Sequence, residues 1–529
     1  MGLGLLGRGL GDAVFLAECG ADLTVTDLRD AKMLAPSLAK LKKYKNIKYT
    51  LGQHKLEDFR NHPKASGDAR GPDFILKAAG VPLESPYIAE ARKHGIPIEM
   101  DASLFAKLMP KGVTIVGVTG TRGKSTTTAL IYEILNAGFK IYDLGFKNRN
   151  IKDKGLRIKD SLAVFRGGNL VPEATLPLLK EVKSGDIVVL ELDSWQLQGF
   201  HDAKISPHIA VFTTFLDDHL IYYKNNKESY FEDKVAIFKY QKTGDILIAG
   251  ERVAEDIGKS GVSVNGDFVV TAKVDVPADW TIPLLGEHNI ENIACAVAVA
   301  KHFKIPKSVV QNAVENFKPI PGRLEFLREV RGVKIYNDNN ATTPDATIAA
   351  IRALSFLNSS FPKGGARGGD GGGFKNPSTH QNAVLPLKKG ESENHIILIM
   401  GGTDKGLDMS KLVAEIPRHC KAVIFLKESG TEKLLSEFPA LNSPLIKGVP
   451  ESARAGAVSP LIKGVPNSDG GRVVFIQKNT LKECVETAMK IAQRDDIILF
   501  SPAFASFGKW FKNEYDRGEQ FVKIIDKIG

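Results

Sequence analysis

The strongest chemical signal in the sequence is a glycine-rich stretch, GVTGTRGKSTTTA at residues 117–129. It follows an apolar run that predicts a strand and precedes a run that predicts a helix, an arrangement in which backbone N–H groups at the helix start bind phosphate. Lys124 can reach the terminal phosphates, and Ser125 can offer a hydroxyl to Mg²⁺. The GxxxxGK pattern is incomplete, because Val118 stands at its first glycine. We interpret the stretch as an ATP-binding loop, with a structural glycine turn as the alternative.

A second glycine pattern occupies Gly2–Gly7, where GLGLLG fits the GxGxxG spacing and Asp27 ends the next predicted strand. This spacing is typical of dinucleotide-binding turns. The strand that should precede the turn is missing, because the chain begins at Met1. Either the true start lies upstream or the first strand is absent. From the residues alone, three interpretations stay open: a nicotinamide or flavin site, a site for another nucleotide diphosphate, and tight structural packing.

Three further polar residues could bind a metal ion or take part in catalysis. Glu191 in ELDSWQLQ and His219 in LDDHL stand at predicted strand ends, where they could hold Mg²⁺ directly or through water. Each could equally be a hydrogen-bonded polar residue with a structural role. Lys234 in YFEDKVAIF lies on a predicted helix and is, in isolation, typical of a solvated surface lysine.

Alternating strands and helices must position these residues. The alternation predicts an α/β protein with mostly parallel sheets, and a length of 529 residues indicates about three domains. The predicted strands are 23–27, 73–80, 113–120, 186–193, 208–215, 333–337, 395–400, 422–426, 473–476 and 496–500. The predicted helices include 85–94, the segment after the glycine-rich stretch, 228–238 and 286–303.

Two low-complexity segments interrupt the last third of the chain. Residues 357–394 contain GGARGGDGGG, and residues 442–472 contain the octapeptide SPLIKGVP twice. Segments of this composition bury too little apolar surface to offset the entropy of ordering them. We therefore expect a mobile glycine-rich loop and a second loop that contains a duplicated piece.

Composition excludes several classes of protein. Hydrophobic residues at 43% and charged residues at 25% exclude wholesale disorder, and no apolar run is long enough for a membrane-spanning helix. The absence of a secretory signal and four widely spaced cysteines indicate a cytoplasmic location. The net charge of +10 comes without a basic block or interleaved aromatic residues, and nucleic acid or small anionic substrates would explain it equally well. Charge alone does not decide between them, and taking the sequence as a whole we expect no nucleic-acid partner.

The sequence resembles the Mur ligases and contains their motifs in the same order. The motifs are GTRGKST, GGN, ELDSWQLQ, DDH, KVAIF, GEHNIEN, PGRLE, NDNNATTPDAT, GGTDKG and SPAFASF followed by FKNEYDRG. Within that family, they are most similar to the branch that adds glutamate to UDP-N-acetylmuramoyl-L-alanine during peptidoglycan precursor synthesis. The resemblance covers nearly the whole chain outside the two low-complexity segments.

The resemblance implies three domains and an activity. Residues 1–109 are implied to form a Rossmann-like domain that binds the UDP-sugar, residues 110–318 a central ATP-binding domain, and residues 319–529 a C-terminal Rossmann-like domain. The activity implied is ATP-dependent amide ligation through an acyl phosphate, with ATP, UDP-N-acetylmuramoyl-L-alanine and glutamate as substrates. We expect no membrane partner and a monomer.

The resemblance also assigns roles to individual residues. It replaces the redox interpretation of the first glycine turn by a uridine-diphosphate cradle made of Gly4, Gly7, Thr26, Asp27 and Gly80. It implies an ATP site formed by Gly120, Thr121, Gly123, Lys124, Ser125, Thr126, Asn292, Arg323 and Asp338. It implies two Mg²⁺ ions bound by Ser125, Glu191, His219 and Lys234, the last as a carbamate. Lys124, His219 and Lys234 are the implied catalytic residues. The remaining substrate-side residues are Asn169, which is also an ATP-side contact, Asn340, Thr342, Lys405 and Ser506.

Three positions depart from the family pattern. Arg122 replaces an asparagine in the phosphate loop, Asn340 replaces the lysine that the family presents to the carboxylate of glutamate, and Glu514 replaces an aromatic residue, with Tyr515 next to it. The last two departures bear on recognition of the amino acid. D-glutamate is still favoured as the acceptor because Ser506 and the surrounding SPAFAS are retained, and L-glutamate or another dicarboxylic amino acid stays an alternative.

Two other functions remain in competition. A folylpolyglutamate synthase also adds glutamate but lacks a separate UDP-binding domain, which residues 1–109 are expected to form. A non-catalytic nucleotide-binding or redox protein would use the first glycine turn, and it would bind NADH tightly without ATPase activity.

The glycine tract generates the first testable prediction. Deleting most of residues 364–373 should change the free energy of unfolding by less than about 1 kcal/mol, because loop-closure entropy varies slowly with loop length. Thermal unfolding of the deletion variant beside the full chain measures this. A melting temperature lower by about ten degrees or more would show that the tract is packed against the protein.

Overall fold

The computed structural model describes residues 1–5, 7–63, 69–147, 162–170, 173–218, 222–359, 395–442, 473–506, 508 and 510–528. Most of both low-complexity segments therefore lies outside the described residues. The described chain forms two compact units. Unit 1 contains Met1–Leu216, Glu228–Val276 and Glu291–Val314, and unit 2 contains Asp217–Lys227, Pro277–Ile290 and Glu315–Gly529.

The first hundred residues of unit 1 form short strands and helices. In chain order they are α1 (Arg8–Glu18), β1 (Leu23–Asp27), α2 (Ala35–Leu41), β2 (Ile47–Leu51), β3 (His62–Pro63), β4 (Ala69–Arg70), β5 (Ile75–Leu76), α3 (Pro86–Lys93), β6 (Ile98–Glu99) and α4 (Asp101–Leu108). β1 pairs with β2 and β5 pairs with β6, both in parallel. The predicted strand 73–80 is shortened to β5.

The main chain of Met1 and Gly2 lies between these two pairs of strands. The amide of Gly2 donates to the carbonyl of Thr26 on β1 at 2.8 Å. On the other side, the amino group of Met1 donates to the Leu76 carbonyl at 2.8 Å, and the amide of Ala78 donates to the Met1 carbonyl at 2.9 Å. Two residues thus make the hydrogen bonds that a strand preceding the first glycine turn would make.

The rest of unit 1 is built on a six-stranded parallel sheet. Its elements are β7 (Thr114–Thr119), α5 (Lys124–Lys147), β8 (Val164–Gly168), β9 (Ile187–Glu191), α6 (Ser194–Ala203), β10 (Ile209–Phe212), α7 (Lys227–Val235), β11 (Ile246–Gly250), α8 (Glu251–Ser260), β12 (Asp267–Thr271), α9 (Glu287–His302) and α10 (Lys307–Glu315). The strand order is β12-β11-β10-β7-β9-β8. β9 and β10 are buried along their whole length, as apolar strands covered on both faces must be.

Unit 2 is built on a second six-stranded sheet. Its elements are β13 (Glu325–Val330), β14 (Val333–Asn337), α11 (Pro344–Ser359), β15 (Ile396–Met400), α12 (Ser410–His419), β16 (Cys420–Leu426), α13 (Ser429–Glu437), β17 (Val474–Lys478), α14 (Leu481–Ile491), β18 (Ile497–Phe500) and α15 (Glu514–Asp526). The order is β13-β14-β18-β15-β16-β17, and only β13 is antiparallel to its neighbour. The prediction of mostly parallel α/β sheets is confirmed.

The residues of β15 show how this sheet builds a core on each face. Ile396, Leu398 and Met400 belong to one apolar cluster, whereas Ile397 and Ile399 belong to another. Alternate residues of a strand point to opposite faces, so both faces are covered by helices. Throughout the part of the chain that the structure describes, no helix has the length and apolar character needed to cross a bilayer.

Lys77 of unit 1 is buried, and it forms no ion pair with any residue that the structure describes. Lys77, which follows β5, is 2% exposed, and its ammonium donates to the carbonyls of Val81 at 3.0 Å and Ala79 at 3.5 Å. Burial lowers the pKa of Lys77 to about 8. By donating to the carbonyls on either side of Gly80, the side chain holds this turn in place. The ammonium is partly desolvated there, which is unfavourable.

This burial makes stability depend on pH in a defined direction. The pKa of Lys77 is lower in the folded chain than in the unfolded chain, so between about pH 8 and about pH 10 the unfolded state binds more protons and stability rises with pH. Lys77→Met removes this dependence. From about pH 7.5 to about pH 9.5, the wild-type chain should gain on the order of 2 kcal/mol relative to the variant. Denaturant unfolding across this range measures the difference. The exposed Lys48, changed to Met, should show no such trend, and a trend as large as that of Lys77→Met would contradict the account.

Candidate active site

The phosphate loop joins the centre of the unit 1 sheet to α5. Gly120 has φ +149°, and a Cβ at this position would collide with the hydroxyl of Thr213. Gly123 has φ +82°, and a Cβ there would collide with the side-chain amide of Asn292. Both positions therefore require glycine for their backbone conformation and for close packing. The structure thus brings Asn292 against the predicted phosphate loop.

Two lysines converge on one carbonyl of this loop. The Nζ of Lys124 lies 2.9 Å from the Gly120 oxygen and 3.2 Å from the Thr121 oxygen. The Nζ of Lys234 also lies 2.9 Å from the Gly120 oxygen and 4.9 Å from the ring centroid of Tyr230. Lys234 is only 1% exposed, so the interpretation of it as a surface lysine is wrong.

The segment after β10 fixes the shape of the phosphate loop. The amide of Thr121 donates to the Thr214 carbonyl at 2.7 Å, and the amide of Arg122 donates to the Thr214 hydroxyl at 2.7 Å. The amide of Leu216 donates to the Thr121 hydroxyl at 2.9 Å. Thr121 was predicted as an ATP-site residue, whereas sequence reasoning missed Thr213 and Thr214. The signal that could have found them is TTF placed directly after a buried parallel strand, beside the strand that leads into the loop.

Glu191 ends β9 at a position paired with Val118 on β7. The Nδ2 of Asn169 lies 3.5 Å from its Oε1, and the backbone amide of Asn169 donates to the Glu191 carbonyl at 2.7 Å. The residue is 2% exposed, and its buried Oε2 accepts no hydrogen bond from the described residues. A desolvated carboxylate oxygen of this kind has the chemistry of a cation ligand.

The remaining metal-site residues are only partly placed. Ser125 is buried in the first turn of α5, and Thr126 beside it is also buried. His219 lies outside the described residues. The described part of the chain contains no cluster of three or more His, Cys, Asp or Glu side chains arranged to hold a metal.

The first glycine turn is held by Asp27, at the end of β1. The Oδ2 of Asp27 accepts from the amide of Gly4 at 2.9 Å, and its Oδ1 accepts from the amide of Arg29 at 2.9 Å. The hydroxyl of Thr26 is hydrogen-bonded to the ring of His54. Gly4, Thr26 and Asp27 are thus brought together as predicted, while Arg29 and His54 were not foreseen.

Helix α1 follows this turn, and its buried Asp12 lies beside Asp101 at the start of α4. Burial, and then the nearby Asp101, raise the pKa of Asp12 well above its usual range. Asp101 accepts from the amides of Thr175 and Leu176 at 2.9 Å each. The neighbouring Arg8 donates to the Asn169 carbonyl at 3.2 Å. The bonds to Thr175 and Leu176 give Asp101 a structural role.

In unit 2, the predicted ATP-site residues flank the first two strands of the sheet: Arg323 precedes β13 and Asp338 follows β14. Asp338 follows β14 and accepts from the amide of Leu324 at 3.0 Å and from the hydroxyl of Ser501 at 2.9 Å. Arg323 lines a cavity of about 230 Å³ together with the exposed Phe326 and the buried Tyr336. The pocket is largely apolar with a guanidinium at its wall.

The predicted amino-acid residues stand on three adjacent loops of unit 2. Asn340 follows β14, Ser506 follows β18 and Lys405 follows β15, and these three strands are neighbours in the order β14-β18-β15. Ligands of parallel sheets bind at the carboxyl ends of the strands. Sheet topology therefore brings these residues to one edge.

Each of these side chains has a partner in the described structure. The Nζ of Lys405 forms an ion pair with Asp218 at 2.7 Å. The hydroxyl of Ser506 lies 3.5 Å from the carboxylate of Glu514, and the amide nitrogen of Asn340 donates to the Pro321 carbonyl at 3.2 Å. The backbone amide of Thr342 donates to the Asn340 carbonyl at 3.1 Å.

Known proteins of this architecture share the sequence as well as the fold. Residues 118–263 match the family described as the Mur ligase middle domain. A protein of Roseiflexus sp. (strain RS-1), named UDP-N-acetylmuramoylalanine--D-glutamate ligase, is 31% identical over 558 residues, covering 100% of this chain and 98% of its own. A protein of the same name from Borreliella afzelii is 28% identical over 549 residues, covering 100% and 97%.

Two solved structures from Thermotoga maritima show the same fold. The UDP-N-acetylmuramate-alanine ligase MurC has a TM-score of 0.50 at 18% identity and covers 99% of this chain and 98% of its own. The MurF ligase in complex with ADP has a TM-score of 0.50 at 16% identity and covers 90% and 99%. With full-length identity of 31% to the Roseiflexus protein, this chain belongs to the Mur ligase family, in the branch of the UDP-N-acetylmuramoylalanine--D-glutamate ligases.

Proposed function

We propose that this chain joins D-glutamate to UDP-N-acetylmuramoyl-L-alanine, with conversion of ATP to ADP and phosphate, in peptidoglycan precursor synthesis. The observation that carries the proposal is the phosphate loop on which Lys124 and Lys234 converge, beside the buried oxygen of Glu191. The relatives that span the whole chain bear the name of this activity. Similarity over the full length to these relatives favours this function over the folylpolyglutamate synthase and redox alternatives.

In this proposal, the phosphate loop binds the triphosphate of ATP. The amides of Thr121 and Arg122 are held by Thr214, so the N–H groups that suit an anion would come from the start of α5. The ammonium of Lys124 is within reach of the loop and would exchange the Gly120 and Thr121 carbonyls for terminal phosphate oxygens. That exchange places a positive charge where negative charge gathers during phosphoryl transfer.

The residues at the loop fit Mg²⁺, because Glu191 presents a buried carboxylate oxygen that accepts no hydrogen bond from the described residues. Ser125 and Glu191 would hold one ion, and His219 with a carbamate on Lys234 would hold a second. When bound, the metal supplies Lewis-acid stabilisation of phosphoryl oxygens. The carbamate would form by addition of CO₂ to the neutral amine of Lys234, with loss of a proton.

The two other substrates would bind at two further places: the UDP-sugar at the first glycine turn of unit 1, and the amino acid at the loops of unit 2. The turn containing Gly4 and Gly7, with Thr26 and Asp27, would bind the UDP-sugar, together with the loop at Gly80. Lys405, Ser506, Thr342 and Asn340 would bind the amino acid at the carboxyl edge of the unit 2 sheet. In that role Lys405 must exchange Asp218 for a substrate carboxylate.

The reaction then proceeds in two steps. A carboxylate oxygen of the L-alanyl group attacks the γ-phosphorus of ATP, the bond to the bridging oxygen breaks, and ADP leaves. The free amine of D-glutamate attacks the carbonyl carbon of the acyl phosphate and loses a proton. The tetrahedral intermediate collapses to the amide and releases inorganic phosphate. Lys124 lowers the barrier of the first step by neutralising charge between two anions.

The contact shared by the two lysines generates a prediction that separates their roles. Lys234→Ala should lower kcat by about a hundredfold or more, as removal of a transition-state electrostatic group does. If the lysine acts as a carbamate, acetate should restore part of the activity of Lys234→Ala and none of that of Lys124→Ala. Both variants should still bind the UDP-sugar.

Steady-state rates with and without acetate measure this, and Lys239→Ala, a half-exposed lysine just beyond α7, serves as the control. Normal turnover of Lys234→Ala would remove Lys234 from the catalytic set. Equal rescue of both alanine variants would show that acetate acts elsewhere.

The departure at Asn340 generates a second prediction. An amide donates hydrogen bonds but carries no charge, and loss of a charge-assisted bond costs about 1.5–3 kcal/mol. Asn340→Lys should therefore lower the KM for D-glutamate by about tenfold, whereas Asn479→Lys, which adds the same charge at an exposed site of unit 2, should not. Both enantiomers should be compared in the wild-type chain. We expect a higher kcat/KM for D-glutamate, and the reverse preference would establish the L-glutamate alternative.

A further inference from the structure

One fully buried cation of unit 2 has no role in the function proposed above. Arg517 lies on α15 and is 0% exposed. Its Nε donates to the side-chain oxygen of Asn339 at 2.7 Å, one terminal nitrogen donates to the Asn339 carbonyl at 2.8 Å, and the other donates to the Phe504 carbonyl at 3.1 Å. All three acceptors are neutral oxygens.

Such burial is costly for a guanidinium. Transfer of a charge from water is unfavourable by several kcal/mol unless it is compensated, and within the described structure Arg517 forms no salt bridge. Burial lowers the pKa of Arg517 to about 9. A neutral side chain could hold α15 against the sheet with a smaller desolvation penalty. What the planar guanidinium adds is a fixed geometry for the oxygens that accept its hydrogen bonds.

The acceptors of Arg517 stand next to the predicted amino-acid residues. Asn339 directly precedes Asn340, and Phe504 lies two residues before Ser506. The guanidinium therefore spans the loop after β14 and the loop after β18. It fixes both at the point where each enters the proposed amino-acid site.

Asn339 passes this constraint to the amide of Asn340. Its Nδ2 donates to the Glu514 carbonyl at 2.6 Å and lies 3.4 Å from the side-chain oxygen of Asn340. The amide nitrogen of Asn340 then points the other way and donates to the Pro321 carbonyl at 3.2 Å. Because Arg517 holds the oxygen of Asn339, the orientation of the Asn339 amide is fixed, and the Asn340 amide follows.

The loop after β15, which carries Lys405, also packs against Arg517. Gly402, which follows β15, has φ +157°, and a Cβ there would lie 3.2 Å from a terminal nitrogen of Arg517. A Cβ on Gly518 would lie 3.0 Å from the Nδ2 of Asn339. Thr403 and Ala505 exchange backbone hydrogen bonds of 3.0 and 3.1 Å, which join the loops after β15 and β18. All three loops thus meet at Arg517.

We propose that Arg517 is a positioning residue for the amino-acid substrate: through Asn339 it sets the orientation of the Asn340 amide, and through Phe504 it sets the loop that carries Ser506. The proposal rests on the proposed function, since it concerns the binding of the same amino acid. In this chain, Arg517 and Asn339 would thus orient Asn340, the residue that stands where the family pattern has a lysine.

Two variants test the proposal by separating substrate affinity from stability. Arg517→Lys keeps the charge but loses the planar set of donors. Asn339→Asp keeps both oxygens that accept from Arg517 but removes the nitrogen that donates to Glu514 and faces Asn340. Arg352→Lys, which changes an exposed arginine of α11 that pairs with Glu415 of α12, serves as the matched control.

With saturating ATP and UDP-N-acetylmuramoyl-L-alanine, both variants should raise the KM for D-glutamate by about tenfold or more, as loss of a charge-assisted or buried hydrogen bond does. The KM for ATP should stay within about twofold, and Asn339→Asp should melt within a few degrees of the wild-type chain. Arg352→Lys should leave every KM unchanged.

An unchanged KM for D-glutamate in Asn339→Asp would overturn the proposal. So would an equal change in the KM of all three substrates, or loss of folding in both variants, because each would assign Arg517 to stability alone. Failure of the proposed function has a different signature, since the wild-type chain itself would then form no product with D-glutamate.

Discussion

The carbonyl oxygen of Gly120 is the point on which the site in unit 1 depends. It accepts hydrogen bonds from Lys124 on α5 and from Lys234 on α7, and both distances are 2.9 Å. Lys124 thus brings a positive charge onto a neutral carbonyl oxygen at the mouth of the loop. A triphosphate that enters the loop offers anionic oxygens to this ammonium, so the arrangement favours binding of an anion.

The loop can hold this arrangement because its neighbours leave it little freedom. Glycine is required at 120 and 123 by backbone conformation and by contacts with Thr213 and Asn292, and the segment after β10 anchors Thr121. The backbone of the loop therefore meets the substrate in a conformation set before it arrives. Preorganisation of this kind is the main source of electrostatic stabilisation in phosphoryl transfer.

In unit 2 the determining constraint is topological. β14, β18 and β15 are parallel neighbours, and their carboxyl ends deliver three loops to one edge of the sheet. The loops would be free to vary in shape if nothing joined them. Arg517 and the paired backbones of Thr403 and Ala505 join them, which turns three loops into one surface.

Part of this could be predicted from the sequence. The ordered motifs indicated the family, and apolar runs predicted β7, β9 and β10 of the unit 1 sheet and five of the six strands of the unit 2 sheet, whereas β8, β11 and β12 were not predicted. β13 was missed because its sequence, EFLREV, alternates with charged residues on an edge strand that is antiparallel and half exposed. The predicted strand 73–80 ended early because Lys77 turns inward to hold the turn at Gly80.

The buried cations could not be foreseen from local sequence, because a lysine or an arginine on a helix is usually solvated. A signal was nevertheless present. Arg517 stands four residues before Phe521 and eight before Ile525, on the buried face of α15, and Lys234 stands four residues after Tyr230 on α7. A charged residue at a core position of an amphipathic helix predicts a buried contact, although the partner is known only when the fold is known.

The central claim, that the chain activates the carboxylate of its nucleotide-sugar substrate as an acyl phosphate, is tested most directly by following one oxygen atom. UDP-N-acetylmuramoyl-L-alanine labelled with heavy oxygen in the alanyl carboxylate is ligated to D-glutamate with ATP, and the released phosphate is analysed by mass spectrometry. The account predicts one labelled oxygen in each phosphate, because the attacking carboxylate oxygen leaves with the phosphoryl group. Unlabelled phosphate formed alongside the amide product would contradict it.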